Sequence, residues 1–192
     1  CNAAIGALEE SGRWDLALDF LAQMFDGLGP EPDAITLTSA ISACSRGQRW
    51  DCSLRVLDEA LARRCSLDTP AYNAAISACE RGAQWAQALA LLSRVEQSMA
   101  LNVSPDVVTY SAAISACERG AQWQQALGLL GAMRRARVAP NVVTVSAAIS
   151  ACGKADRWEA SLQLFLEMCT AGRGSSGAGG FSTVRPNVIA YG

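Results

Sequence analysis

The segment Pro105-Asp-Val-Val-Thr-Tyr-Ser-Ala-Ala-Ile-Ser-Ala-Cys-Glu-Arg-Gly-Ala-Gln-Trp123 decides how this chain is built, because it returns along the chain in altered spelling. Its last six residues, Glu118 to Trp123, repeat Glu80-Arg-Gly-Ala-Gln-Trp85 without change. Its Ser-Ala-Cys phrase recurs around Cys44, Cys79, Cys117 and Cys152, at spacings of 35, 38 and 35 residues. Further out, Trp14, Trp50, Trp85, Trp123 and Trp158 are 36, 35, 38 and 35 residues apart, and Ile5, Ile41, Ile76, Ile114 and Ile149 keep the same intervals nine residues earlier. Two columns that drift by the same insertions mark an internal repeat of about 35 residues, the signature of a stacked array.

Inside one unit the apolar spacing is helical. Tyr72, Ala75, Ile76 and Cys79 follow i, i+3, i+4, i+7, and Trp85, Ala88, Leu89 and Leu92 resume the pattern after a break at Gly82. The spacing predicts a helical hairpin, with helix A from Pro70 to Arg81 and helix B from Gln84 to about Gln97. A lone hairpin cannot cover its own apolar face, so the expected fold is all-α, an α-solenoid of stacked hairpins. The units run approximately over 1–33, 34–68, 69–106, 107–141 and 142–187, with 188–192 opening a sixth, in a single array. Three extra residues fall near Ser98 to Val103, and a Gly/Ser-rich insertion of about 171–183 interrupts the last complete unit. That insertion contains Gly172-x-Gly174-x-x-Gly177, which reads as a linker because no strand precedes it and no amphipathic helix follows.

Composition narrows the chemistry. The chain has 192 residues, no His, and 16 basic against 18 acidic residues. With 51% apolar and 18% charged residues it is too apolar to remain disordered. Its 35 Ala against 12 aromatic residues favour closely packed helices. The longest uncharged run, Val138 to Gly153, contains Pro140, Asn141, Thr144 and two Ser and does not read as a membrane span. Absence of His removes Cys/His zinc fingers, imidazole bases and Ser/His/Asp triads. The eight Cys include no Cys-x-x-Cys, so the Ser-Ala-Cys thiols read as small buried hydrophobes, unbridged, in a reducing compartment. Asn102-Val-Ser104 matches a glycosylation acceptor only by accident, in the absence of secretory context. No catalytic residue, metal ligand or cofactor site is expected.

The boundary phrase carries a resemblance. Pro105-Asp-Val-Val-Thr-Tyr110 and Pro140-Asn-Val-Val-Thr144, with weaker copies at Pro32 to Thr36 and Pro186 to Tyr191, make the chain similar to the pentatricopeptide repeat family over essentially its whole length. The resemblance implies a right-handed solenoid that binds single-stranded RNA, one nucleotide per unit, in a mitochondrion or plastid. It assigns base choice to the fifth and last residues of each unit: Asn2 with Asp33, Thr38 with Asp68, Asn73 with Asp106, Ser111 with Asn141, and Ser146 with Asn187. In the family's code these favour U, G, U, A and A. Small polar and carboxamide groups suit the Watson–Crick edge. The last position also reads as a helix cap. Second residues, which separate neighbouring bases in the family, are Ile35, Pro70, Val108, Val143 and Ile189, with Pro70 departing from the usual aliphatic. The thirteenth, near phosphates in the family, is Arg46, Arg81, Arg119 and Lys154, but Glu10 in the first unit. Each of these cations also suits a helix C-terminus, and their recurrence favours a basic stripe facing RNA.

Two rivals remain open. A peptide-binding scaffold of the tetratricopeptide kind would carry long charged or aromatic anchors where this chain has small polar pairs, and it would lack the boundary phrase. An enzyme would need a catalytic domain outside this stretch, for which the array would serve as an RNA guide. The chain reads as part of a longer array, open to protein partners but with no small-molecule substrate. The five Trp, at the start of each helix B, read as packing between hairpins.

Overall fold

The computed structural model describes residues 2–97 and 103–171. Asn187, Ile189 and the Gly/Ser-rich insertion beyond Ala171 lie outside them, and so do Ser98 to Asn102 and the side chain of Asn2. Ten α-helices and no strand occur among the described residues: α1 (Asn2–Glu10), α2 (Trp14–Phe25), α3 (Ala34–Arg46), α4 (Trp50–Ala62), α5 (Thr69–Arg81), α6 (Trp85–Gln97), α7 (Val107–Arg119), α8 (Trp123–Arg135), α9 (Val142–Lys154) and α10 (Trp158–Ala171). Odd-numbered helices are the A helices and even-numbered ones the B helices. The expected limits of the third hairpin hold to one residue: α5 starts at Thr69 rather than Pro70, since Pro in the first turn gives up no bonded amide, and α6 starts on Trp85 itself.

One turn design closes the A–B junctions. Helix A ends on Gly47, Gly82 or Gly120, all with ordinary negative φ, and the next residue takes the left-handed conformation: Gln48, Ala83 and Ala121 at φ of 57°, 54° and 53°. The following amide then reaches back to the Cys carbonyl, as Gln84 N to Cys79 O at 2.8 Å and Gln122 N to Cys117 O at 2.8 Å. This is the Schellman arrangement with a non-glycine residue in the left-handed place. The Gln side chain adds a bond of its own, Nε2 to the Gly82 carbonyl at 3.2 Å and to the Gly120 carbonyl at 3.1 Å, which accounts for the Gly-Ala-Gln-Trp phrase.

The conserved geometry leaves a different task for the glycine. A Cβ on Gly47 would overlap the Trp14 indole, and one on Gly82 would overlap that of Trp50. Each of these Trp therefore leans on the A-helix end of the next hairpin. Arg49 lies over Trp14 at 4.5 Å from the ring centre, and Arg157 over Trp123 at 5.2 Å. Trp14, Trp50 and Trp123 are half-buried between hairpins rather than sunk in a core, and Trp158 is 66% exposed.

The chain divides into two compact units, with the division between Ser104 and Pro105, just after the stretched interval of the sequence. In the first, α3 packs against α1 and α5, and α2 and α4 each pack on the A helix that follows. In the second, α7 packs against α9, and α9 also packs against α8 and α10. Ile5, Leu37, Ile41, Leu57 and Ile76 are fully buried in the first unit, and Tyr110, Ile114, Met133 and Val145 are likewise buried in the second. Ala40, Ala75, Ala113 and Ala148 are wholly inaccessible, so small side chains let the A helices approach one another closely. The thiols of Cys44, Cys79, Cys117 and Cys152 are buried and unbridged, as expected of small apolar groups in this register. Burial lifts Cys44 to about 12 and Cys79 and Cys117 to about 11. No helix among the described residues is long and apolar enough to cross a membrane.

Candidate nucleic-acid interface

The N-terminal ends of the A helices carry the predicted reading positions. Every last residue among the described repeats is a helix cap: Asp33 Oδ1 accepts from Thr36 N at 2.8 Å, Asp68 Oδ1 from Ala71 N at 3.0 Å, Asp106 Oδ1 from Thr109 N at 2.8 Å, and Asn141 Oδ1 from Thr144 N at 2.9 Å. Asp106 and Asn141 complete capping boxes, with the buried Thr109 and Thr144 hydroxyls taking the cap residue's own amide at 3.0 and 2.9 Å. A cap engages one oxygen of a two-headed side chain. The same anchoring that starts the helix thus holds the carboxylate or carboxamide in a set direction at a helix N-terminus.

Fifth residues stand one turn further in. Thr38 Oγ1 donates to the Ala34 carbonyl at 2.8 Å and to Asp68 Oδ1 at 3.3 Å, so a fifth and a last residue 30 positions apart meet directly. Ser111 Oγ donates to the Val107 carbonyl at 2.6 Å. Ser146 Oγ, the equivalent atom of α9, is buried with no hydrogen-bond partner among the described residues. Asn73 is half-buried on α5, in the first unit, while Asp106 belongs to the second.

Second residues face outward. Ile35, Val108 and Val143 are 61%, 55% and 57% exposed, placing branched aliphatic side chains in solvent at the same register of three helices, and Pro70 is exposed at the fourth. A helix interior gains nothing from an exposed β-branched side chain, so propensity does not account for this column.

At the opposite ends of the A helices the thirteenth residues are exposed, and Arg46 and Lys154 are paired with acids of the preceding A helix. Arg46 lies 3.8 Å from Glu9 of α1, and Lys154 lies 3.0 Å from Glu118 of α7. The acid in each pair is the twelfth residue of the preceding repeat, a role the sequence reading did not assign. The Glu-Arg pairs at Glu80-Arg81 and Glu118-Arg119 were the available signal. Glu10, the departure at this position, is an exposed acid at the end of α1. Among the described residues no group of three or more His, Cys, Asp or Glu is placed to hold a metal ion.

Family comparisons fall on the same repeats. The PPR repeat family model matches residues 105–154, and the PPR repeat model matches residues 143–173. Residues 105–173 are thus similar to pentatricopeptide repeats. Among solved structures this repeat protein is similar to the pentatricopeptide repeat protein PPR10 from maize, at 26% identity over 99% of the chain with a TM-score of 0.70. It is also similar to PPR10 in complex with an 18-nt psaJ RNA element, at 28% identity over 99% of the chain with a TM-score of 0.74. It spans about a quarter of the length of PPR10, 25% and 26% in the two structures. The PPR domain of Arabidopsis thaliana protein-only RNase P 1, solved in complex with tRNA, shares the fold at 11% identity, with a TM-score of 0.74 over 91% of this chain and 90% of that one. No curated protein sequence matches the chain. The expected all-α hairpin repeat is the fold of these pentatricopeptide repeat structures.

Proposed function

We propose that this chain is a pentatricopeptide repeat protein that binds single-stranded RNA without catalysing a reaction, reading one nucleotide per repeat with a preference near UGUAA, in mitochondrial or plastid RNA processing or stabilisation. The observation that carries the reading is the junction at Thr38 and Asp68, where the fifth residue of one repeat and its last residue converge at 3.3 Å. A pair of polar groups fixed by a cap can address a single base edge. Exposed aliphatic side chains at Ile35, Val108 and Val143 offer apolar surfaces for the faces of unstacked bases. Support from relatives comes from PPR10, whose structure includes an RNA element. In this reading Asn2, Asp33, Thr38, Asp68, Asn73, Asp106, Ser111, Asn141, Ser146 and Asn187 specify bases, and Ile35, Pro70, Val108, Val143 and Ile189 separate them.

Selection from a randomised single-stranded RNA pool tests it, with a UGUAA-like run expected among the recovered sequences and little binding to duplex. Recovery governed by length alone would contradict the base assignments. A second arm exchanges one reader: Ser111→Asn with Asn141→Asp installs the pair that the chain already uses at Asn73 and Asp106. The fourth base is expected to change from A toward U by about tenfold or more, the worth of one good hydrogen-bonded base contact. A folded double variant that still prefers A there would show that these positions are not the base readers.

A further inference from the structure

The charge column at the C-terminal ends of the A helices is internally compensated. Glu118, next to last in α7, accepts from Lys154 Nζ at 3.0 Å and from Ser150 Oγ at 2.8 Å through the same Oε1, both donors lying on α9. Its side chain is 24% exposed, so it is held against α9. Glu9 stands to Arg46 in the first unit as Glu118 stands to Lys154 in the second, with the same exposure of 24%. Along the twelfth and thirteenth positions Glu9, Glu10, Glu80 and Glu118 number four, against the four cations Arg46, Arg81, Arg119 and Lys154, for a net charge of zero. Ser45 replaces the acid one repeat before Arg81.

We propose that Glu118 and Glu9 are built-in competitors for RNA phosphate: each occupies the cation that a phosphodiester oxygen would otherwise take. The proposal rests on the RNA-binding reading and assigns a residue that reading does not use. To an ammonium or guanidinium group, carboxylate and phosphate oxygens are alternatives of like chemistry. A cation already neutralised by its own protein takes a phosphate only at a cost: the pair must open first, and the carboxylate released then repels the backbone. The exposed half of each pair is weakly bound, so exchange is feasible. Ser150 keeps Glu118 in place, so the carboxylate remains beside the cation. The array thereby mutes the sequence-independent attraction on which nucleic-acid binding ordinarily draws and leaves discrimination to the base edges.

Glu118→Gln tests this without removing the contact, since the amide keeps an oxygen for Ser150 and loses only the charge. Binding is measured against one matched and one mismatched single-stranded RNA over a salt series. Both affinities are expected to rise together, about two- to fivefold at low ionic strength. The log–log salt slope is expected to steepen by about 0.7, one phosphate on a single strand. Adding Lys154→Gln should abolish the gain. An unchanged slope, or a gain that survives Lys154→Gln, overturns the proposal. Thermal unfolding checks each variant, and if Glu118→Gln fails to fold, Glu9→Gln with Arg46→Gln decides the question in the other unit by the same criteria. Failure of the parent to bind any RNA would take down the RNA reading as well, whereas a parent that binds with a slope indifferent to both Glu substitutions refutes this inference alone.

Discussion

The two ends of an A helix are built from equally regular sequence, yet they carry different work. At the N-terminal end the repeated residues are anchored by their own local bonds, the caps of Asp33, Asp68, Asp106 and Asn141, and their aliphatic neighbours project into solvent. At the C-terminal end the repeated residues are committed to the next hairpin, through Trp14 on Gly47, Trp50 on Gly82, and the Glu9–Arg46 and Glu118–Lys154 pairs. Local anchoring leaves surface for a partner. Cross-repeat anchoring consumes it. Regular recurrence in a repeat protein is thus no guide to function until the direction of each contact is known.

The largest effect is expected where the C-terminal end is broken. Gly82→Ala drives a methyl into the Trp50 indole and should cost about 1 to 3 kcal/mol of unfolding free energy, the usual range for overpacking. Gly153→Ala is its control, because a Cβ there meets nothing within 4 Å, and it should stabilise by up to about 1 kcal/mol through helix propensity. Urea denaturation measures both. Equal effects of one sign would dissolve the distinction between close approach and backbone freedom.

An intermediate effect sharpens the N-terminal end. Asp68→Ala removes the cap on α5 and its bond to Thr38, and should cost about 1 kcal/mol, whereas Asp68→Asn keeps an oxygen for Ala71 N and should stay within a few tenths. In the RNA reading both variants lose the parental preference at that base. Stability and specificity would then separate in one residue, as read by denaturation and RNA binding on the same samples. If Asn falls as far as Ala, the charge and not the cap is the structural element.

An effect confined to alkali is read at the Cys that precede the C-terminal turns. Burial raises the Cys79 thiol from 9.0 to about 11, so the folded chain holds that proton more tightly than the unfolded chain does. This share of stability is complete below pH 9, and is lost as pH rises through 11. Cys79→Ala is expected to make the denaturation midpoint fall less steeply over that interval. An unaltered slope would mean that the thiol titrates in the fold as it does in the unfolded chain.

Much of this was legible in the sequence, for reasons that differ by residue. Period, hairpin limits and capping could be read because a helix start is a local event: Asp106 and Thr109 are three apart, and their bond needs no knowledge of the neighbour. The Ser-Ala-Cys register likewise told which face of α7 was buried. What could not be read was contact between residues a repeat apart. Nothing in the spelling of Glu118 shows that it meets Lys154 on the next A helix, and a stripe of four cations therefore looked more positive than the paired geometry makes it. Gly47 and Gly82 were legible as breaks, but their φ is ordinary. Their reason is Trp14 and Trp50 of the previous hairpins, which no local rule supplies.

The hydroxyls of the fifth positions have a polarity. Ser111 has spent its single hydrogen on the carbonyl of Val107, and Thr38 shares its own between the Ala34 carbonyl and Asp68 Oδ1, so what both turn toward solvent is lone pairs. Such a group takes a hydrogen and has none to give, and it meets an amino or imino edge better than a carbonyl one. Asn73 carries both an acceptor and two donors on one planar head. Ser146, whose hydrogen no carbonyl claims, stands between the two. Residues of nearly equal size in equivalent places therefore differ in the sign of the bond they offer, and a backbone carbonyl four residues back is what sets it.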